Sequence, residues 1–76
     1  MTIRFKYDKE ADSAYLWLGN SREAGRSART EVVDLDIENG AINLDFDDGG
    51  RLIGIEILGA GKLLPAALLE EDRSGG

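Results

Sequence analysis

Carboxylates are the only abundant groups in this sequence whose type and spacing suit them to chemistry. Fifteen Asp and Glu stand against nine Lys and Arg in 76 residues, with no Cys and no His. Those two absences exclude a Cys nucleophile, a His general base, a Ser-His-Asp triad and any Cys/His zinc site. What remains is oxygen chemistry. Asp34, Asp36, Asp45 and Glu56 fall at positions that strand alternation would place on one sheet face. Four such carboxylates could hold a hard cation, Ca²⁺, Mg²⁺ or Mn²⁺, through oxygens alone, or support a metal-assisted hydrolysis. The same set could instead meet Arg22, Arg26 or Arg29, or stand solvated, as acidic residues usually do.

Three other patterns resemble sites and fall short. Asp45, Asp47, Gly50 and Glu56 match positions of a calcium loop, but Gly49 stands where a ligand belongs and the flanks read as strands, not helices. Gly59-Ala60-Gly61-Lys62 ends like a phosphate loop, yet Glu56 and Leu63 occupy positions that need Gly and Ser or Thr. Tyr7, Tyr15 and Trp17 could stack on bases. Packing in a core or a dimer suits them better in a chain of net charge −6, because nucleic-acid binding rests on neutralising phosphates.

The elements that must position these residues follow from hydrophobic periodicity. Ile3, Phe5 and Tyr7 alternate with polar residues and predict a strand. Asp8 to Asp12 reads as a turn capped by Asp8. Ala14 to Leu18 is apolar on both faces, which predicts a strand covered on both sides, by a helix or by a second subunit. Residues 20–29 read as a surface loop. Val33, Leu35 and Ile37 alternate with Asp34, Asp36 and Glu38 in a third strand.

Asn39-Gly40 then predicts a two-residue hairpin loop, since a type I′ turn needs positive φ at both positions. That register sets Ile37 opposite Ile42, Leu35 opposite Leu44 and Val33 opposite Phe46, and it sets Asp34 opposite Asp45. Ala41 to Phe46 forms strand four, Asp47 to Gly50 a second hairpin loop, and Leu52 to Leu58 strand five. Leu63 to Glu71 reads as a short helix with Pro65 in its first turn and Leu64, Ala67 and Leu68 as its inner stripe.

The expected architecture is α+β and mostly β, a five-stranded antiparallel meander with a short C-terminal helix. One domain over residues 1–72 is expected, with a frayed tail at 73–76. A domain this small buries only about 60 % of its unfolded-chain surface, so association is the obvious reinforcement. No apolar run approaches the length of a membrane span, and Met1 to Lys6 carries no signal-peptide core. A cytoplasmic protein that engages neither membrane nor nucleic acid is the expectation.

Three blocks together resemble a known family. They are Tyr7-Asp8-Lys9-Glu10-Ala11-Asp12-Ser13-Ala14-Tyr15, Arg29-Thr30-Glu31-Val32-Val33, and the run from Leu44-Asp45-Phe46-Asp47-Asp48-Gly49-Gly50 to Gly54-Ile55-Glu56-Ile57-Leu58. In this order they are similar to the domain of unknown function 2283 family of small bacterial proteins, over roughly residues 3 to 62. The resemblance implies the fold and supplies no activity, no cofactor and no site residues. It suggests an antitoxin-like pairing with another small protein.

Charge adds a direction. Residues 1–30 carry six basic and four acidic groups, and residues 31–76 carry three basic and eleven acidic. An acidic half of that kind suits a basic partner or a cation. The leading expectation is therefore a non-enzymatic protein-interaction module without a cofactor, a homodimer or the partner of a small basic protein. The alternative is a divalent-cation binder or metal-assisted hydrolase using Asp34, Asp36, Asp45 and Glu56.

Overall fold

The computed structural model describes residues 3–19 and 27–71. Five strands form one antiparallel sheet: β1 (Ile3–Asp8), β2 (Ser13–Leu18), β3 (Arg29–Asp34), β4 (Ala41–Phe46) and β5 (Leu52–Leu58). Two short helices follow, α1 (Ala60–Leu63) and α2 (Ala66–Glu71). The mostly β architecture expected from the periodicity is the one observed. Among the described residues no helix is long and apolar enough to cross a membrane.

The strand order is β1-β2-β5-β4-β3, so β5 inserts between β2 and β4 where a plain meander would run in sequence. Composition explains the insertion. The two central neighbours, β2 (SAYLWL) and β5 (LIGIEIL), are the most apolar strands. The charged strands β1 (IRFKYD) and β3 (RTEVVD) take the edges, where charge blunts unwanted pairing.

The helices cover one face only. Ala14, Ile57 and Ala60 form the buried cluster, with Phe5, Tyr7, Ile42, Ile55, Leu63, Leu64 and Leu69 packed around it. In place of the single helix expected over 63–71, α1 ends at Leu63 and α2 begins at Ala66, with Leu64 between them extended at φ −105° and ψ 150°. Pro65 is the cause, since a residue before proline is pushed out of the helical region. Pro65 then opens α2, its carbonyl accepting from Leu68 and Leu69 N–H at 3.0 and 3.2 Å. The later start changes the phase: Leu69 packs inward, while Leu68 and Ala67 are exposed.

Local turn chemistry follows the side chains. Asp8 Oδ1 accepts from the N–H groups of Glu10 and Ala11 at 3.1 and 3.3 Å. Asp47 Oδ1 accepts from Gly49 and Arg51 N–H, both at 2.9 Å, closing the β4–β5 hairpin. The register of that hairpin slips by one beyond Asp45, leaving Ile53 as a bulge.

The β3–β4 register differs from the one expected. Val33 pairs with Ile42, Glu31 with Leu44 and Arg29 with Phe46, a shift of four residues. Asn39 does take a positive φ, 63°. Gly40 does not, and its N–H donates to Ile37 O at 3.0 Å, so the connection runs from residue 35 to 40. The two-residue hairpin would set Asp34 directly against Asp45, and like charges so placed repel. The observed register sets Thr30 there instead, and Asp34 faces Ala41.

Candidate functional site

The face away from the helices carries two cross-strand rows. One runs Arg4–Trp17–Gly54–Asp45–Thr30, the other Lys6–Tyr15–Glu56–Asn43–Val32. Alternation puts these side chains on one side, since each strand offers every second residue to it. Their polar groups satisfy one another laterally. Tyr15 donates its hydroxyl to Asp45 Oδ2. Thr30 Oγ1 donates to Asp45 Oδ1 at 2.6 Å. Asn43 Nδ2 donates to Glu56 Oε1 at 2.9 Å.

Gly54 makes the first of these contacts feasible. A Cβ there would sit 2.7 Å from Tyr15 Cζ, inside the contact distance of two carbons. The phenol crosses β5 in the space that glycine leaves. Beside it, the Tyr15 and Trp17 ring centroids lie 4.7 Å apart with planes at 48°, and the Arg4 guanidinium lies 5.0 Å from the Trp17 ring centre. Partial burial, then the hydrogen bond to Asp45, holds the Tyr15 phenol well above its ordinary pKa. It stays protonated and acts as a donor, not as a base or nucleophile.

The four carboxylates expected to converge do not all do so. Asp45 and Glu56 share this face, on either side of the Tyr15 phenol. Asp34 ends β3 opposite Ala41, and Asp36 lies in the connection beyond it, both exposed. Among the described residues no three carboxylates are grouped to hold an ion. The physical reason is the register: the expected set depended on Asp34 facing Asp45. Arg29 does not fold onto this face either. It pairs with Glu31 and stacks 4.4 Å over the Phe46 ring on the other side. Arg22 and Arg26 lie outside the described residues.

A second group, centred on Asp12, ties the β1–β2 turn to α1. Asp12 Oδ1 accepts from Gly61 N–H at 2.8 Å and from the Tyr7 hydroxyl at 3.0 Å. Its carbonyl accepts from Gly59 and Ala60 N–H at 2.9 and 3.0 Å. Asp12 thereby serves α1 in place of a local N-cap, which Gly59 cannot supply. The hydrogen bond to Asp12 raises the Tyr7 pKa. One sequence signal pointed to Gly54: an isolated glycine inside an apolar strand marks a close approach.

The third feature is the outer strand. All six residues of β3 are exposed. Val32 is 61 % exposed and Val33 41 %, and Ile37 in the connection that follows is exposed as well.

These features define a single-sheet, mostly β domain capped on one face, with an internally satisfied polar face on the other and an outer strand exposed among the described residues. Residues 4–60 match the family described as protein of unknown function DUF2283, and the chain belongs to it. An uncharacterised protein of Methanocaldococcus jannaschii is 36 % identical over 63 residues, covering 83 % of this chain and 46 % of that protein. The chain thus spans about half the length of the curated relative it matches. No solved structure matches.

Proposed function

We propose that this chain is a cytoplasmic, non-enzymatic protein-interaction module whose contact surface is the outer strand β3. The observation that carries the reading is the edge itself: six exposed residues in a row, two of them valines, with Ile37 beyond. An exposed β edge offers unpaired backbone groups to another strand, and strand addition is a common mode of recognition. The polar face supports the same reading. Its two carboxylates already accept hydrogen bonds from Thr30, Tyr15 and Asn43, so they serve the sheet rather than a substrate.

A small basic protein is a second occupant that one feature favours. Asp34, Asp36 and Glu38 follow the valines along the chain, all exposed, in a chain of net charge −6. This is the form an antitoxin-like role would take.

The test is purification of the tagged chain from its native cells under gentle, low-salt conditions. A stoichiometric partner, either a second copy or another protein, is expected. Val32→Pro, which blocks strand addition, should release it. Recovery of a lone monomer, or a partner indifferent to Val32→Pro, would sink the reading.

A further inference from the structure

The two edges of the sheet differ in what they can pair with. A two-fold axis normal to a sheet keeps each face on its own side. Facing residues must then share a side, so only registers centred on one residue are allowed. Around β1 such an axis at Phe5 would oppose Arg4 to the partner's Lys6, a like-charge pair, and one at Tyr7 would oppose Lys6 to Asp8 but set the partly buried Phe5 against the charged Lys9 of the turn. Around β3 the outcome depends on the centre. An axis at Glu31 opposes two glutamates, and one at Arg29 opposes two arginines. An axis at Val32 or Val33 leaves each charge facing an apolar or neutral residue, or outside the paired segment. An axis at Thr30 alone sets Arg29 opposite the partner's Glu31, twice by symmetry, with Thr30 against its own copy and Ala28 against the partner's Val32.

We infer that β3 pairs antiparallel with β3 of a second copy about a two-fold axis at Thr30, joining two sheets into one of ten strands. This inference rests on the interaction reading above and names its occupant. Every facing pair in this register is a favourable kind: opposite charges, Thr with Thr, and a small apolar residue with a branched one. Arg29 and Glu31 already pair within one chain, so the dimer gathers two of each sign in alternation. Val32, the most exposed large apolar side chain among the described residues, gains a neighbour. A head-to-tail union of β1 with β3 would instead leave a free edge at each end and grow without limit. A pairing of single strands buries less than the roughly 800 Å² per partner of a standard interface, so a micromolar dissociation constant is expected.

Charge exchange tests the register. Sedimentation velocity of the full chain at low salt, from low micromolar to near-millimolar concentration, should show a monomer–dimer equilibrium. Arg29→Glu alone and Glu31→Arg alone should each weaken the dimer at least tenfold, because each opposes like charges. An equimolar mixture of the two variants should restore it, since one copy then presents two acids and the other two bases. The double variant should self-associate like the wild type.

Glu31→Arg keeps the Arg29–Phe46 stack, so the test survives even if Arg29→Glu fails to fold. A monomeric wild type, species larger than a dimer, or single variants that dimerise normally would each overturn the inference. The broader reading fails separately. A monomer that still captures a Val32-dependent protein from its native cells refutes the two-fold pairing alone.

Discussion

The Tyr15 hydroxyl reaches Asp45 across the bare backbone of Gly54. Two strands that never pair directly, β2 and β4, are thereby tied over the β5 that separates them. Asp45 also accepts from Thr30 on β3, so one carboxylate braces three strands on the face away from α1 and α2. The arrangement has two physical requirements: an acceptor at 45 and nothing at 54.

Gly54→Ala tests the second requirement. The new methyl must displace the phenol, at the about 1–3 kcal/mol typical of overpacking, and about 1 kcal/mol more for the lost hydrogen bond. A fall of the melting temperature by roughly 8–32 °C is expected, at about 4–8 °C per kcal/mol in a domain this size. In a Tyr15→Val background the same change should cost under about 1 kcal/mol, because the two residues share one space. Additive costs would show that the phenol does not lie over residue 54.

The raised Tyr15 pKa has a definite sign in stability. The folded state holds the phenolic proton more tightly than the unfolded chain, whose tyrosine titrates near about 10. The contribution is therefore complete below that pH and is lost as pH rises toward the folded value. Urea midpoints of the wild type and Tyr15→Phe, compared from neutral pH to strongly alkaline pH, should differ by a constant amount until about pH 10 and converge above it. A gap that stays constant into strong alkali would mean that Asp45 does not hold the proton on Tyr15.

Much of this fold is legible in residue alternation, and the exceptions have a common origin. Strands one, two, four and five, the Asp8 turn and the 47–50 hairpin follow from local chemistry that the structure leaves unchanged, whereas the third strand lies at Arg29–Asp34 instead of 33–38 and Pro65 separates two helices instead of sitting in the first turn of one. The β3–β4 register does not follow from local chemistry either. A shift of four residues keeps every side chain on its own face, so alternation cannot distinguish Val33 opposite Phe46 from Val33 opposite Ile42. Asn39-Gly40 favoured the wrong one, and the Asp34–Asp45 repulsion it entailed was the sign against it. The pairing of Asp34 with Asp45 in the candidate cation set came from that register. Asp12 and Gly54 act across 49 and 39 residues of chain, and no local pattern encodes a partner at that distance.

Asp12 is the residue whose removal should loosen the helices. Its φ of 53° suits Asp or Asn and disfavours Ala. Asp12→Ala loses the acceptor for Gly61 and Tyr7 as well, a combined cost of about 2–3 kcal/mol. Asp12→Asn keeps Oδ1 and the backbone preference and should cost under about 1 kcal/mol. Hydrogen exchange should show the loss concentrated in α1 for Asp12→Ala, whose Gly61 amide would become the first to exchange. Equal effects of the two variants would mean that Oδ1 carries nothing.

A thermal melt in EDTA, then with millimolar Ca²⁺, Mg²⁺ or Mn²⁺, weighs the acidic face directly. A site filled at 100 times its dissociation constant adds about 2.7 kcal/mol, a shift on the order of 10–20 °C in a small domain. Asp45 and Glu56 would have to exchange hydrogen bonds from Tyr15, Thr30 and Asn43 for a cation's coordination shell. Asp34 lies four residues along β3 from Thr30, the residue paired with Asp45, and Asp36 lies beyond the strand, so neither joins them. Small shifts of equal size for the three ions are therefore expected, the signature of screening a net charge of −6. A large shift specific to one ion would mean that the lateral hydrogen bonds yield to it. Asp45→Asn should then abolish the shift, since that side chain joins three of the five strands.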